Sequence, residues 1–184
     1  MPWIEIVNES DAVGPEREAY EAVTKRRGAL AHIWQVQGLL PGALTANLDL
    51  YEALAYREQG LSRREREMMG LVVAKMLNGG YAFTHHADAL GRHVSEPGLV
   101  ARVAGDWHQA PITPRERAIL GYATKLTESP STVTERDVEV LREAGLSDDQ
   151  ILEACLLTGY YNLINRVALG LGVERDDAAA PYRY

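Results

Sequence analysis

The pattern of apolar and polar positions parses into eight helices, near 15–27, 41–57, 62–77, 82–93, 98–105, 113–128, 134–143 and 147–170, with polar or Gly/Pro joints between them. No Asn-Gly hairpin sits between alternating apolar runs, and helix-start signals recur instead. Ser62-x-x-Glu65, Thr113-x-x-Glu116, Thr134-x-x-Asp137 and Ser147-x-x-Gln150 each put a hydroxyl three residues before a side chain that can reach back to it, as in a capping box. Pro114 at a first helical position strengthens the second of these, and Gly145 after Val138-x-x-Leu141 reads as a C-terminal stop. The expected fold class is all-α.

Two helix starts echo each other. Leu61-Ser62-Arg63-Arg64-Glu65-Arg66-Glu67-Met68 and Ile112-Thr113-Pro114-Arg115-Glu116-Arg117-Ala118-Ile119 share an apolar lead residue, a hydroxyl cap and an Arg-Glu-Arg triplet. An internal helical repeat accounts for the echo, and convergent capping chemistry accounts for it nearly as well. One domain is expected over 1–175, and the polar, non-periodic residues 176–184 read as a C-terminal tail.

Composition narrows the function classes. The chain has 184 residues, 46% hydrophobic and 24% charged, enough for one good core. A net charge of −7 with acids and bases interleaved leaves no basic stripe for phosphate backbones, so no nucleic-acid partner is expected. No apolar run approaches the ~20 residues that span a bilayer, and the start of the chain has no basic or apolar leader, so the reading is cytoplasmic with no membrane partner. Cys155 is the one cysteine, which rules out an intrachain disulfide and a cysteine-based metal site. Its apolar run, Ile151 to Leu157, predicts a buried and inert thiol.

The stretch Gly79-Gly80-Tyr81-Ala82-Phe83-Thr84-His85-His86 has the layout of a redox Cys-x-x-Cys motif followed by paired histidines, with Gly79 and Ala82 where the thiols would sit. Glu67 lies twelve residues before Gly79, and His86 seven after it. This pattern resembles the alkylhydroperoxidase D-like (AhpD-like) proteins of the carboxymuconolactone decarboxylase superfamily, in their peroxidase-related branch. The resemblance extends to Pro2-Trp3-Ile4, Ala19 to Val23 and Leu39 to Leu44, and to Leu141 to Ser147 and Tyr160 to Arg166. It implies an AhpD-like helical bundle that assembles as a homo-oligomer (dimer, trimer or hexamer). It also implies a proton relay in which Glu67, Tyr81, His85 and His86 hold the catalytic positions, with Asn165 and Arg166 closing the final helix on the pocket.

The departure from the family pattern bears directly on chemistry. A dithiol peroxidase needs one thiolate to attack the peroxide and a second to resolve the sulfenic acid, and Gly79 and Ala82 supply neither. Thiol peroxidase activity is therefore expected to be lost, with Cys155 left only as a lone thiol. Two readings of what remains stay open. A cofactor-free lyase or isomerase would use His86 as base and Glu67 as its orienter on a small-molecule ligand, for which the decarboxylase branch gives a precedent in proton transfer. A non-catalytic binding or scaffold protein would keep the oligomer alone.

No cofactor is expected, and no metal. On a helix over 82–93, His86 and His93 share a face but are separated by a rise of about 10.5 Å. His85 and His86 point about 100° apart, so neither pair has the i, i+4 spacing of helical zinc ligands. Each residue also has a plain structural reading: Glu67 as a solvated charge in its Arg-rich run, the doubled histidine as a cap or a buried acid's partner, and Tyr81 as core. Glycines at 79 and 80 relax the backbone and remove side-chain volume at the site of the missing dithiol.

Overall fold

Ser62 and Thr113 open their helices by the same reciprocal bonding. In each case the hydroxyl accepts the third amide of the helix, at 3.2 Å from Glu65 and 3.1 Å from Glu116. That residue's carboxylate in turn accepts the amide of the cap, at 2.6 and 2.7 Å. Such local signals fix the starts of the elements. The computed structural model describes residues 2–57 and 60–175, and the residues expected to form a tail lie outside that range. Among the described residues the chain is helical without strands, as its pattern predicts. The helices are α1 (Gly14–Arg27), α2 (His32–Gln35), α3 (Pro41–Ala55), α4 (Arg63–Met76), α5 (Gly80–His93), α6 (Leu99–Asp106), α7 (Pro114–Glu128), α8 (Glu135–Glu143) and α9 (Asp148–Gly170). Trp107–Gln109 and Pro130–Thr132 form single 3-10 turns.

Two details differ from the sequence reading. The four residues of α2 carry no capping signal and were not expected. The next helix of interest, α5, starts at Gly80 rather than at 82. Asn78 adopts a left-handed φ of 54° and the Gly79 amide turns back to the Ala74 carbonyl at 2.8 Å. The reversal is complete within those two residues, and helical geometry resumes at once. Gly145 stops α8 as expected: at φ 85° it lets Leu146 donate to the Leu141 carbonyl at 3.1 Å, closing a Schellman-type end.

The residues group into two compact units, Met1–Ala53 with Arg166–Tyr184, and Leu54–Asn165. In the first, the Tyr20 hydroxyl donates to the Gln35 carbonyl at 2.9 Å. Burial, reinforced by the nearby Glu16 charge, pushes its pKa up to about 12. Trp34 meets Tyr51 edge-on at 6.0 Å, and the Arg27 guanidinium lies 4.6 Å over the same Tyr51 ring. The Trp3 amide donates to the Leu171 carbonyl at 2.8 Å, so the start of the chain is tied to the end of α9.

The second unit is built around α4, which is buried without interruption from Glu65 to Ala74. A helix buried all round is a core element, and its polar members must then be paired. Arg66 donates to Glu153 of α9 at 2.8 Å and to the Ala55 and Arg57 carbonyls at 3.1 and 2.7 Å. Glu153 also accepts the Leu61 amide at 3.1 Å. Helix α4 lies against both α5 and α7. Cys155 departs from expectation: it is half-buried rather than buried. It sits on α9 between the buried face and a solvent-facing one, where Leu152 and Leu156 are exposed, so its apolar neighbours in sequence do not enclose it.

Candidate active site

Glu67 is carried into the interior by the burial of α4 and is 4% exposed, so the plain reading of it as a solvated charge does not hold. One carboxylate oxygen, Oε1, receives Arg63 Nη2 from one turn earlier on α4 at 2.7 Å. The other, Oε2, lies 2.7 Å from His86 Nδ1 of α5. Burial is the largest influence on this carboxyl and pushes its pKa up. The His86 hydrogen bond and the charges of His86, Arg63 and His93 together outweigh it and hold the pKa below the ordinary value.

That ionisation fixes the state of the imidazole. A carboxylate can only accept, so in the neutral ring Nδ1 carries the hydrogen and Nε2 presents a lone pair. The imidazole is packed as tightly as it is bonded. A Cβ built on Gly70 of α4 would overlap His86, so only glycine at this position lets the ring lie against the helix. Tyr161 of α9 meets the ring edge-on, with centroids 4.8 Å apart, and its hydroxyl donates to the Arg66 carbonyl at 3.2 Å. The His86 side chain keeps 17% of its surface exposed, so the base is held but accessible.

The remaining predicted residues fall into separate groups. Tyr81 and His85, one turn apart on α5, pair with each other at a centroid distance of 4.6 Å. Gly79 and Ala82 are both buried at the start of α5. Asn165 of α9 reaches the first of them: a Cβ on Gly79 would overlap Asn165 Oδ1. Arg166 belongs to the other compact unit. No group of three His, Cys, Asp or Glu among the described residues is gathered so as to hold a metal ion.

Three members of the site escaped the sequence reading. Arg63 and Gly70 stand at i−4 and i+3 from Glu67, spacings that put all three on one helix face, so a signal for them was present. Nothing local marks Tyr161, which reaches His86 only through the packing of α9.

The whole chain shares its architecture with solved structures. An AhpD-core, peroxidase-related protein from Ralstonia eutropha superposes with a TM-score of 0.85 and 25% identity, over 96% of this chain and 93% of that one. A peroxidase-related protein from Silicibacter does so with the same TM-score and identity, over 98% and 94%. This chain belongs to the AhpD-like superfamily. No protein-family model and no curated protein matches it, so membership rests on the fold and on these two relatives. The AhpD-like fold also extends to a more distant neighbour, a debrominase solved with 2,3,4-tribromopyrrole, at TM-score 0.78 and 15% identity over 94% of this chain and 91% of that one. Among the described residues no helix of this AhpD-like protein is long and apolar enough to cross a membrane.

Proposed function

We propose that this AhpD-like protein performs proton transfer on a small organic molecule, as a cofactor-free lyase or isomerase, and does not reduce hydroperoxides through a dithiol. The observation that carries this reading is the 2.7 Å contact between His86 Nδ1 and Glu67 Oε2, with the carboxylate buried and anchored by Arg63. His86 Nε2 takes a proton from a carbon next to a carbonyl, and the C–H electron pair passes to the carbonyl oxygen as an enolate. The imidazolium so formed is stabilised by Glu67, which need not move. Where the deprotonated carbon lies between the carbonyl and a C=C bond, the charge extends to the far alkene carbon, and return of the proton there gives isomerisation. Collapse of the enolate with loss of a group from the adjacent carbon gives a lyase.

Dithiol chemistry has no support in the chain: Gly79 and Ala82 hold the dithiol positions, and Cys155 is the one cysteine in the sequence. The fold is not confined to peroxidase-related proteins, since one neighbour is a debrominase. The test is deuterium incorporation from D2O into a panel of small ketones and lactone acids, followed by NMR. Exchange abolished by His86→Ala supports the reading. Hydroperoxide reduction with a thiol donor, abolished by Cys155→Ser, would overturn it.

A cytoplasmic homo-oligomer is part of the same proposal. Leu152, Leu156 and Leu163 of α9 are 58%, 45% and 49% exposed and, with Gly159 between them, form a stripe of 4-3-4 spacing. That is the spacing of a helix–helix seam, and its occupant is the same stripe of a second copy, crossing at Gly159, where no neighbouring atom lies within 4 Å of a built Cβ.

A further inference from the structure

The start of α5 has no cap of its own. Gly79 stands at the N-cap and has no side chain to offer. The first amides of a helix have no acceptor along its axis. Gly80 disposes of its amide locally, donating to the Asn78 carbonyl at 3.1 Å. Ala82, at the third helical position, has no such turn to serve it. The space at this end is open on one side, since a Cβ built on Gly80 meets nothing within 4 Å.

Asn165 stands over the other side. It is 1% exposed, and its Nδ2 donates to the Tyr161 carbonyl at 2.8 Å one turn earlier on α9. That bond fixes the orientation of the carboxamide and turns Oδ1 toward Gly79, where a built Cβ would lie 2.9 Å from Asn165 Cγ and overlap Oδ1 itself. Yet Oδ1 is buried with no hydrogen-bond partner. Buried acceptors are almost always satisfied, so an orphan beside an uncapped helix start marks a place where a donor belongs.

We infer that Asn165 Oδ1 and the N-terminus of α5 form a subsite for an alcohol hydroxyl of the substrate. A carboxylate would suit the helix amides but be repelled by Oδ1. An ammonium would suit Oδ1 but face the positive end of the helix dipole. A hydroxyl does both, donating to Oδ1 and accepting from the Ala82 amide. Ala82 and His86 share a face of α5, one turn and about 6 Å apart. Asn165 and Tyr161, also one turn apart, address the two ends of that span. Resting on the proton-transfer reading, the substrate class is a small hydroxylated carbon acid, with its hydroxyl a few bonds from the carbon that His86 deprotonates.

The experiment titrates the full chain with 5-hydroxypentan-2-one, 5-methoxypentan-2-one and pentan-2-one, observed through the amide resonance of Ala82. The hydroxy ketone is expected to shift that resonance saturably and to bind about five- to tenfold more tightly than pentan-2-one. The methoxy ketone, which accepts but cannot donate, should recover none of the gain, and Asn165→Ala should erase it. Equal binding of all three, or an Ala82 amide that does not respond, overturns the inference, and this arm needs no variant to fold. Deuterium exchange into the same ketones separates the two readings. A hydroxyl preference without exchange keeps the subsite and removes proton transfer; exchange without a hydroxyl preference does the reverse.

Discussion

Arg64 on α4 donates to Glu116 on α7 at 2.6 Å, and its counterpart Arg115 on α7 donates to Glu65 on α4 at 2.8 Å. Each glutamate caps its own helix with one oxygen and receives the arginine of the other helix with its second. The two echoing sequence segments therefore meet as a crossed pair, a relationship that capping chemistry alone does not require and that an internal repeat accounts for. Both glutamates are nearly buried, so removing an arginine strands a carboxylate. Arg64→Ala and Arg115→Ala should each cost about 1–2 kcal/mol. Glu116→Ala should cost more, because it removes a cap as well. Urea unfolding of the three variants checks the order.

Glu67 ties the active-site reading to acid stability. Its carboxyl is held below the ordinary value of 4.5, so its contribution to folding is complete above that value and is lost as pH falls through the lower folded-state pKa. Glu67→Gln removes the charge but keeps the shape. It should lower stability at neutral pH by about 2–4 kcal/mol, since Arg63 loses its ion pair with this carboxylate, and flatten the decline below pH 4.5. Thermal unfolding of both proteins from neutral to acid pH tests this, and parallel curves would show that the carboxylate is not what the fold protects.

The helices were legible because their signals are local. Caps, a proline and Gly145 mark their starts and stops, and the helix class needed nothing more. The candidate site was legible only where spacing along the chain carries it, as with Glu67 on α4 and His86 on α5. The spacing named Tyr81 and His85 alongside them; His85 stands about 100° around α5 from His86, and it pairs with Tyr81 one turn earlier. Asn165 reaches the start of α5 and Tyr161 its middle through the packing of α9; the family resemblance named Asn165, but no local pattern encodes the approach of Tyr161. The half-buried state of Cys155 was missed for the same reason: an apolar run names hydrophobic residues without saying which side of the helix faces solvent.

The leucine stripe of α9 makes the oligomer testable independently of chemistry. Leu156 is 45% exposed, so Leu156→Arg removes little intramolecular packing and should leave the melting temperature nearly unchanged. Across a seam between two copies it buries a charge without a partner and should dissociate the assembly. Light scattering at micromolar concentration distinguishes the outcomes, and an unchanged mass would place any interface elsewhere.

Gly70 offers the cleanest separation of geometry from charge. In the interior of a helix, alanine is ordinarily better than glycine by about 1 kcal/mol. Here a Cβ would overlap the His86 imidazole, which also packs against Tyr161 and is bonded to Glu67, so a shift of the ring disturbs both contacts. Gly70→Ala should therefore lose the expected gain in stability. It should also displace the ring while leaving Glu67, Arg63 and every other titratable group in place. The Nδ1 proton shared with a carboxylate gives a far-downfield NMR resonance, expected in the wild type and absent in the variant. Carbon-acid exchange should fall at least tenfold with it, which corresponds to about 1.4 kcal/mol of lost transition-state stabilisation. If the resonance disappears and exchange continues unchanged, His86 is not the base. If both persist, the imidazole does not lie against Gly70 in solution.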